Sequence, residues 1–175
     1  MQRLYFTKKN KRMKYYNSIA KGYEELHKEE QQEKLKIIKK FLKVSKNTKL
    51  LDVGCGTGLT TSPWRCKKYG IDPAENMLQK AKKKYPKIIF KKAKAEKIPF
   101  KASFFDVVIS ITALQNFQNI EKALKEIKRV GKDKFILTFL KKSSKRPNIN
   151  RLIKKHFKVK KIIEETKDLI YIIIP

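Results

Sequence analysis

The chain alternates between short apolar runs and longer segments in which apolar residues recur every three or four positions. Short runs are typical of strands buried on both faces of a sheet, whereas the longer spacing is typical of helices with one apolar face. The predicted strands are residues 50–53, 69–71, 88–90, 105–110 and 135–140, followed by a hairpin of residues 159–163 and 171–174. The predicted helices are residues 15–42, a helix that ends at Lys84, a helix that runs from a cap at Asn119 to Val130, and residues 149–157.

This alternation of strands and helices predicts an α/β fold, with a doubly wound, mostly parallel sheet and a final antiparallel strand. The connection after the first strand is the exception. Residues 59–67 are few and include Pro63, which lacks the amide proton that a helix interior requires. We therefore expect the first crossover helix to be abbreviated or to begin late.

The length of the chain, 175 residues, predicts one domain with a core of its own. Residues 1–14 are basic and poor in apolar side chains, so we interpret them as a flexible arm ahead of a single domain at residues 15–175. No apolar stretch is long enough for a signal peptide or a membrane span, which predicts a soluble, cytoplasmic protein. The spacing of Cys55 and Cys66 matches no zinc or redox motif, so we expect two free thiols and no metal site.

The formal net charge is +29, from 45 basic and 16 acidic residues. Such a charge favours binding to phosphate backbones through counterion release. However, only six of the 45 basic residues are arginines, and the lysines are spread along the whole chain. A general compositional bias toward lysine explains the charge as well as a dedicated nucleic-acid surface does.

Residues 49–58 carry the strongest chemical signal in the chain. An apolar strand stops there at three glycines two residues apart, Gly54, Gly56 and Gly58. Glycine allows positive φ angles and close approach of the backbone to a ligand. A dinucleotide-binding fingerprint would need its third glycine at the sixth position, which is Leu59 here. A tight turn without a ligand is the alternative interpretation.

The sequence Leu-Asp-Val-Gly-Cys-Gly-Thr-Gly at residues 51–58 closely resembles the first motif of the class I S-adenosylmethionine-dependent methyltransferases. The segment around Tyr16, Asn17, Ala20 and Tyr23 resembles the branch that includes the ubiquinone and menaquinone C-methyltransferases, in which this segment folds over the cofactor. The alternative is that the two tyrosines only pack on a helix face. The resemblance implies a Rossmann-like methyltransferase fold with a seven-stranded sheet.

The resemblance also implies S-adenosylmethionine as cofactor and S-adenosylhomocysteine as its product. The residues that it places at the cofactor are Tyr16, Tyr23, Asp52, Gly54, Cys55, Gly56, Gly58, Asp72, Pro73, Met77, Ala95, Glu96 and Ser110.

Asp72 has two interpretations. At the tip of the second strand of a doubly wound sheet, a carboxylate accepts hydrogen bonds from ribose hydroxyls, and in the family this acid binds the ribose of the cofactor. The sequence Asp-Pro-Ala-Glu is also a good helix cap, with Pro73 at the first helical position.

The segment after the third strand departs from the family pattern. Lys94 replaces the aspartate that family members commonly place there, and an ammonium group accepts no hydrogen bond from the adenine amino group. Recognition of the adenine would then depend on the backbone near Ala95 and on Glu96. The end of the fourth strand, from Ser110 onward, is where the transferable methyl group should point.

No catalytic residue is assigned. Thr112, Gln115 and Asn116 follow the fourth strand but do not titrate near neutral pH, and His156 lies in an apolar helix, where a structural role is expected. The Asn/Asp-Pro-Pro-Tyr/Phe tetrapeptide of base N-methylation is absent, and neither cysteine is placed for covalent pyrimidine methylation.

Three acceptor classes therefore stay open: a small metabolite, an RNA atom whose methylation requires neither the tetrapeptide nor a nucleophilic cysteine, and a protein. We slightly favour RNA or a ribonucleoprotein, because residues 8–14 and the loop at residues 141–146 could flank an open site with cations. A protein of this fold that binds S-adenosylmethionine or RNA without catalysis is the alternative function. We expect no membrane association and a monomer or homodimer.

Overall fold

The computed structural model describes residues 23–175, with side chains from residue 28 onward, as strands alternating with helices. The strands are β1 (Lys49–Val53), β2 (Lys67–Asp72), β3 (Ile89–Lys92), β4 (Phe105–Ser110), β5 (Gly131–Leu140), β6 (Lys161–Glu164) and β7 (Asp168–Ile173). The helices are α1 (Tyr23–Phe41), α2 (Glu75–Lys84), α3 (Ile120–Val130) and α4 (Arg146–His156), with a short 3-10 helix at Leu114–Asn116.

All seven strands form one sheet in the order β3-β2-β1-β4-β5-β7-β6. Strands β1 to β5 pair in parallel, and β7 runs antiparallel to both β5 and β6. This confirms the predicted fold. The strand order reverses between β1 and β4, and in such sheets ligands bind at the carboxyl ends of the strands beside this switch point.

Alternate residues of the central strands face two different apolar layers, as expected for parallel strands covered on both sides. On one face, Leu35 and Ile38 of α1 pack with Val107, Ile109 and Ile136. On the other face, helices α3 and α4 pack against residues that include Val108 and Leu137. Both layers hold the strand ends, and thus the loops that follow them, in fixed positions.

The crossover from β1 to β2 contains turns and no helix, a larger departure than the abbreviated helix that we predicted. The amide of Ser62 donates to the carbonyl of Gly58 at 2.9 Å, but Pro63 has no amide proton to extend the turn. The Trp64 indole Nε1 donates to the Thr60 carbonyl at 2.9 Å and is buried. The crossover is therefore packed, although it is not helical.

Several predicted boundaries shift. Strand β5 begins at Gly131, directly after α3, and a Cβ at that position would lie 2.8 Å from Val108 Cγ2. Helix α4 begins at Arg146 and not at residue 149, with a proline in its first turn. The predicted cap of α3 is confirmed, since Asn119 Oδ1 accepts a hydrogen bond from the Lys122 amide at 2.9 Å.

The basic arm at residues 1–14, and the part of the first predicted helix before Tyr23, lie outside the described residues. Within residues 23–175, none of the helices combines the length and the apolar character needed to cross a bilayer.

Candidate functional site

The glycine loop turns sharply at the carboxyl end of β1. Gly54, Gly56 and Gly58 have φ angles of +80°, +52° and +80°, in the left-handed region that favours glycine. The amides of Gly54 and Cys55 both donate to the carbonyl of Ile71 on β2, at 2.8 and 3.1 Å. The loop is thereby fixed against the end of the neighbouring strand.

Asp72, the last residue of β2, connects this loop to helix α2. Its Oδ2 accepts from the Gly56 amide at 2.9 Å and its Oδ1 accepts from the Ala74 amide at 2.8 Å. Burial raises the pKa of the carboxyl, and the two backbone hydrogen bonds oppose that rise. Each carboxylate oxygen has a further lone pair, so Asp72 can still accept from a ligand.

The interpretation of Asp72 as the helix cap is wrong, because the cap lies two residues later in the chain. Helix α2 begins at Glu75, its N-cap is Ala74, and no side chain in the described part of the chain caps it. Pro73 therefore precedes the cap and does not occupy the first helical position. The carboxylate of Asp72 joins two backbone segments, and this leaves the ligand-binding interpretation as a prediction.

Asp52 is fully buried beneath the glycine loop. Its Oδ2 accepts hydrogen bonds from the hydroxyls of Thr60 and Thr61, both at 2.7 Å. Burial raises the pKa of this carboxyl to about 6, against the lowering effect of the two hydroxyl bonds. Among the described residues, Asp52 Oδ1 and the buried Thr57 hydroxyl have no hydrogen-bond partner. The interior beneath the loop therefore holds two polar atoms whose hydrogen-bonding capacity is unused.

The raised pKa of Asp52 predicts a specific dependence of stability on pH. Folding favours the protonated carboxyl, because its pKa is about 6 in the folded protein and 3.8 in the reference state. The contribution of Asp52 to the free energy of unfolding is therefore lowest above about pH 6. It rises as the pH falls toward the pKa of the carboxyl in the unfolded chain. From about pH 7 to about pH 4, the parent should gain about 2 kcal/mol relative to Asp52→Asn in urea unfolding. Parallel stability curves for the two proteins would contradict the buried, raised-pKa carboxyl.

The side chains of three other predicted residues are buried. Cys55 packs with Leu78 and Phe90, and burial raises the pKa of its thiol well above the usual value. Met77 and Ala95 are also buried. Both cysteines are free thiols, as expected. The amide of Cys55 donates to Ile71 and its carbonyl accepts from the Gly58 amide at 2.9 Å, so its predicted contact with a cofactor stays a prediction.

Glu96 and Ser110 make contacts within the protein. Glu96 Oε1 accepts from the amides of Gln118 and Asn119, at 2.8 and 3.1 Å, at the beginning of α3. The buried Ser110 hydroxyl donates to the Val53 carbonyl at 2.9 Å and links the ends of β4 and β1. Their predicted contacts with a cofactor stay predictions, as do those of Ala95 and Met77.

The segment after β4 lies directly against the glycine loop. A Cβ placed on Gly54 would be 2.8 Å from Ala113 Cβ and 3.7 Å from Phe117 Cε1. On the outer side, Lys145 Nζ donates to the carbonyls of Gln115 and Phe117, at 2.9 and 3.2 Å. The two loops that would hold the two reactants therefore touch each other.

Thr112, at the start of this segment, has a φ angle of +54°, which is unusual for a β-branched residue. A buried polar network holds it. Its amide donates to Thr138 Oγ1 at 2.7 Å, and its hydroxyl donates to Asp168 Oδ2 at 2.7 Å. The fully buried Lys34 Nζ donates to the Thr112 hydroxyl at 2.9 Å and lies 3.2 Å from Asp168 Oδ1.

The predictions from the sequence did not include this network. The available signal was the position of Lys34, which lies next to Leu35 and four residues before Ile38, on the apolar face of the predicted helix. A lysine on that face is rarely buried without a partner. Its partner Asp168 is 134 positions later in the chain, and no local pattern connects the two.

Two cations of the loop at residues 141–146 are engaged within the protein, which weakens the argument that this loop holds a polyanion. Lys141 Nζ pairs with Glu164 Oε1 at 3.0 Å, and Lys145 donates to the two carbonyls described above. His156 contacts Glu121 on α3 at 3.1 Å, which agrees with a structural role. Tyr16 lies outside the described residues, and so does the side chain of Tyr23.

The profile of a protein family described as a methyltransferase domain matches residues 51–139. Over 129 residues the chain is 35% identical to an uncharacterized protein, MJ1252, of Methanocaldococcus jannaschii, covering 71% of this chain and 49% of that protein. Over 98 residues it is 39% identical to a demethylmenaquinone methyltransferase of Chlorobaculum tepidum, covering 54% and 40%. It thus spans less than half of either relative.

The fold is similar to the crystal structure of a SAM-dependent methyltransferase from Aquifex aeolicus. The TM-score is 0.68 and the identity is 22%, over 80% of this chain and 88% of that one.

Proposed function

Because this chain belongs to the methyltransferase domain family, we propose that it binds S-adenosylmethionine and transfers the cofactor's methyl group to a small acceptor. The observation that carries this proposal is the geometry of the glycine loop. Three left-handed glycines lie at the carboxyl end of β1, and the Gly56 amide is bonded to Asp72 at the end of β2. Backbone that a ligand can approach closely therefore lies beside the Asp72 carboxylate, which we infer binds the ribose of the cofactor.

The residues present fit the cofactor in charge. S-adenosylmethionine carries a sulfonium and an ammonium group, both cationic. Burial raises the pKa of Asp52 and of Asp72, so a nearby cation would stabilise the ionised form of each carboxyl. The unpartnered Asp52 Oδ1 and Thr57 hydroxyl add polar atoms beneath the loop. In a chain of net charge +29, these two acids give a cationic ligand a local preference.

Methyl transfer from a sulfonium is an in-line displacement whose reactivity the bound cofactor supplies. The task of the protein is therefore to hold two reactants at the correct distance and to exclude water. Gly54 permits the contact of the cofactor loop with Ala113 and Phe117 of the segment after β4. Lys145 fixes that segment from the other side. We infer that these contacts set the distance between cofactor and acceptor.

For the acceptor, we propose the electron-rich ring of a reduced quinone. The similarity to a demethylmenaquinone methyltransferase supports this class. The chemistry of the site agrees, since Thr112, Gln115 and Asn116 offer no group that titrates near neutral pH. A ring carbon of the hydroquinone would bond to the methyl group as the methyl–sulfur bond breaks, and the ring proton would then pass to solvent, so no protein base would be needed before the transfer. RNA, which the net charge of +29 favours, is the second candidate.

Transfer of label from methyl-labelled S-adenosylmethionine tests both candidates. The acceptors are a demethylated naphthoquinol kept reduced under anaerobic conditions, and total tRNA with rRNA. We expect label in the naphthoquinol. Label in RNA alone would mean that the acceptor is RNA and not a quinol. Calorimetric binding of NAD without binding of S-adenosylmethionine would overturn the proposed function.

A second test concerns the cofactor contact of Asp72. Asp72→Asn retains one carbonyl oxygen for the two backbone amides and loses the charged acceptor for the ribose. Loss of a hydrogen bond to a charged group costs about 1.5 to 3 kcal/mol, so affinity for S-adenosylmethionine should fall about ten- to a hundredfold. The control is Asp133→Asn, the same change at an exposed position. If Asp72→Asn lowers only the melting temperature and leaves calorimetric affinity unchanged, the carboxylate merely joins the loop to α2.

A further inference from the structure

Two buried glutamine amides lie beside the segment after β4. Gln31 of α1 is 5% exposed and Gln115 of the 3-10 helix is 7% exposed. In both residues the carbonyl oxygen Oε1 is buried and has no hydrogen-bond partner among the described residues. Buried carbonyl groups are normally satisfied, so two such atoms near one segment point to a missing hydrogen-bond donor.

Both amides are anchored on the same residue. Gln115 Nε2 donates to the Thr112 carbonyl at 2.8 Å, and Gln31 Nε2 lies 3.5 Å from the Thr112 hydroxyl. Because the nitrogen atoms face Thr112, the oxygen atoms are the ones left to accept from another molecule. Thr112 is held in turn by Thr138 and Asp168, so the amides are supported by a rigid neighbour.

These amides lie on the acceptor side of the proposed reaction. Gln115 belongs to the segment whose Ala113 and Phe117 lie against Gly54 of the cofactor loop. Lys145 Nζ fixes the backbone carbonyl of Gln115 from outside. The side chain of Gln115 is therefore placed next to the loop that would hold the cofactor, at the end of β4.

The charges around Thr112 indicate what kind of donor fits. Lys34, Lys167, Glu30 and Asp168 form a connected cluster with Lys34–Glu30 at 2.6 Å and Lys167–Glu30 at 2.7 Å. The buried Lys34 ammonium of this cluster lies against the Thr112 hydroxyl. An ammonium ligand would meet a like charge there, whereas a neutral hydroxyl would not. The missing donor is therefore a neutral group, and a hydroxyl of the proposed quinol acceptor is such a group.

We propose that Gln31 and Gln115 form a recess that recognises a hydroxyl group on the methyl acceptor. This inference rests on the proposed function, because it assigns the recess to that acceptor. The hydroxyl donates to the side-chain carbonyl of one or both glutamines, which orients the acceptor ring toward the cofactor loop. An acceptor that lacks the hydroxyl would leave the side-chain carbonyls of both glutamines without a hydrogen-bond donor. Because that is costly, the recess also rejects such acceptors.

The test measures binding and does not depend on turnover. The protein is saturated with S-adenosylhomocysteine, and its affinity is measured for a reduced naphthoquinol and for the same ring with both hydroxyls converted to methyl ethers. We expect the parent protein to prefer the quinol about tenfold or more. Gln115→Met and Gln31→Met keep the side-chain volume but remove the carbonyl, so each should lose most of this preference while retaining affinity for S-adenosylhomocysteine.

The matched controls are Gln118→Met and Gln32→Met, at exposed positions on the same two segments, which should behave as the parent does. Retained affinity for S-adenosylhomocysteine reports that a variant is folded, and the two variants on different segments test the recess independently. Equal binding of quinol and ether by the parent, binding of neither, or an unchanged preference in both glutamine variants would overturn the recess. Label transfer in the assay above would still support the proposed function in each of those cases.

Discussion

Lys34→Met is expected to lower the free energy of unfolding by about 3 to 5 kcal/mol, because it leaves the buried carboxylate of Asp168 without its cation. Both side chains are fully buried, and their charged atoms lie 3.2 Å apart. The penalty of an unpaired buried charge is much larger than the net contribution of an exposed pair. Urea unfolding monitored by circular dichroism measures the change.

The matched control is Lys36→Met, two residues later on the same helix. Lys36 pairs with Glu33 at 2.6 Å, but the two side chains are 70% and 61% exposed. Removal of such a pair should cost about 1 kcal/mol or less. The double variant Lys34→Met with Asp168→Leu should recover part of the loss, since it removes both buried charges. If Lys34→Met costs no more than Lys36→Met, the buried pair does not hold α1 to the sheet.

Gly54→Ala is expected to weaken binding of S-adenosylmethionine by about a hundredfold or more, a change of about 3 kcal/mol. Two effects combine. The φ angle of +80° is unfavourable for a residue with a Cβ, at about 1 to 2 kcal/mol. The new Cβ would also lie 2.8 Å from Ala113 Cβ, which is attached to the backbone and cannot rotate away. The cofactor loop and the acceptor segment would therefore be forced apart.

A second substitution separates the two effects. In Gly54→Ala with Ala113→Gly the steric contact is gone, but the left-handed conformation still carries a Cβ. Calorimetric affinity should recover in part, and the remaining deficit measures the backbone strain. Normal affinity in Gly54→Ala alone would show that the close contact of the two loops has no part in cofactor binding.

How far the sequence predicts this site depends on the range of the contacts. The glycine loop, the end of β2 at Asp72 and the cap at Asn119 were all predictable, because each depends on residues close together in the chain. The missing helix after β1 was only partly predictable. Pro63 indicated a short helix, whereas the segment forms turns in which the hydroxyls of Thr60 and Thr61 bond to the buried Asp52.

The sequence by itself determined the order of strands and helices, the alternation of apolar layers, and the loop whose glycines adopt positive φ. These features follow from local periodicity and from the missing Cβ of glycine. Only the tertiary structure decided which distant residues meet. Lys34 reaches Asp168, Glu96 reaches the start of α3, and Lys145 reaches the segment after β4. Each contact depends on the order in which the strands assemble into the sheet, and that order brings together residues that share no local pattern.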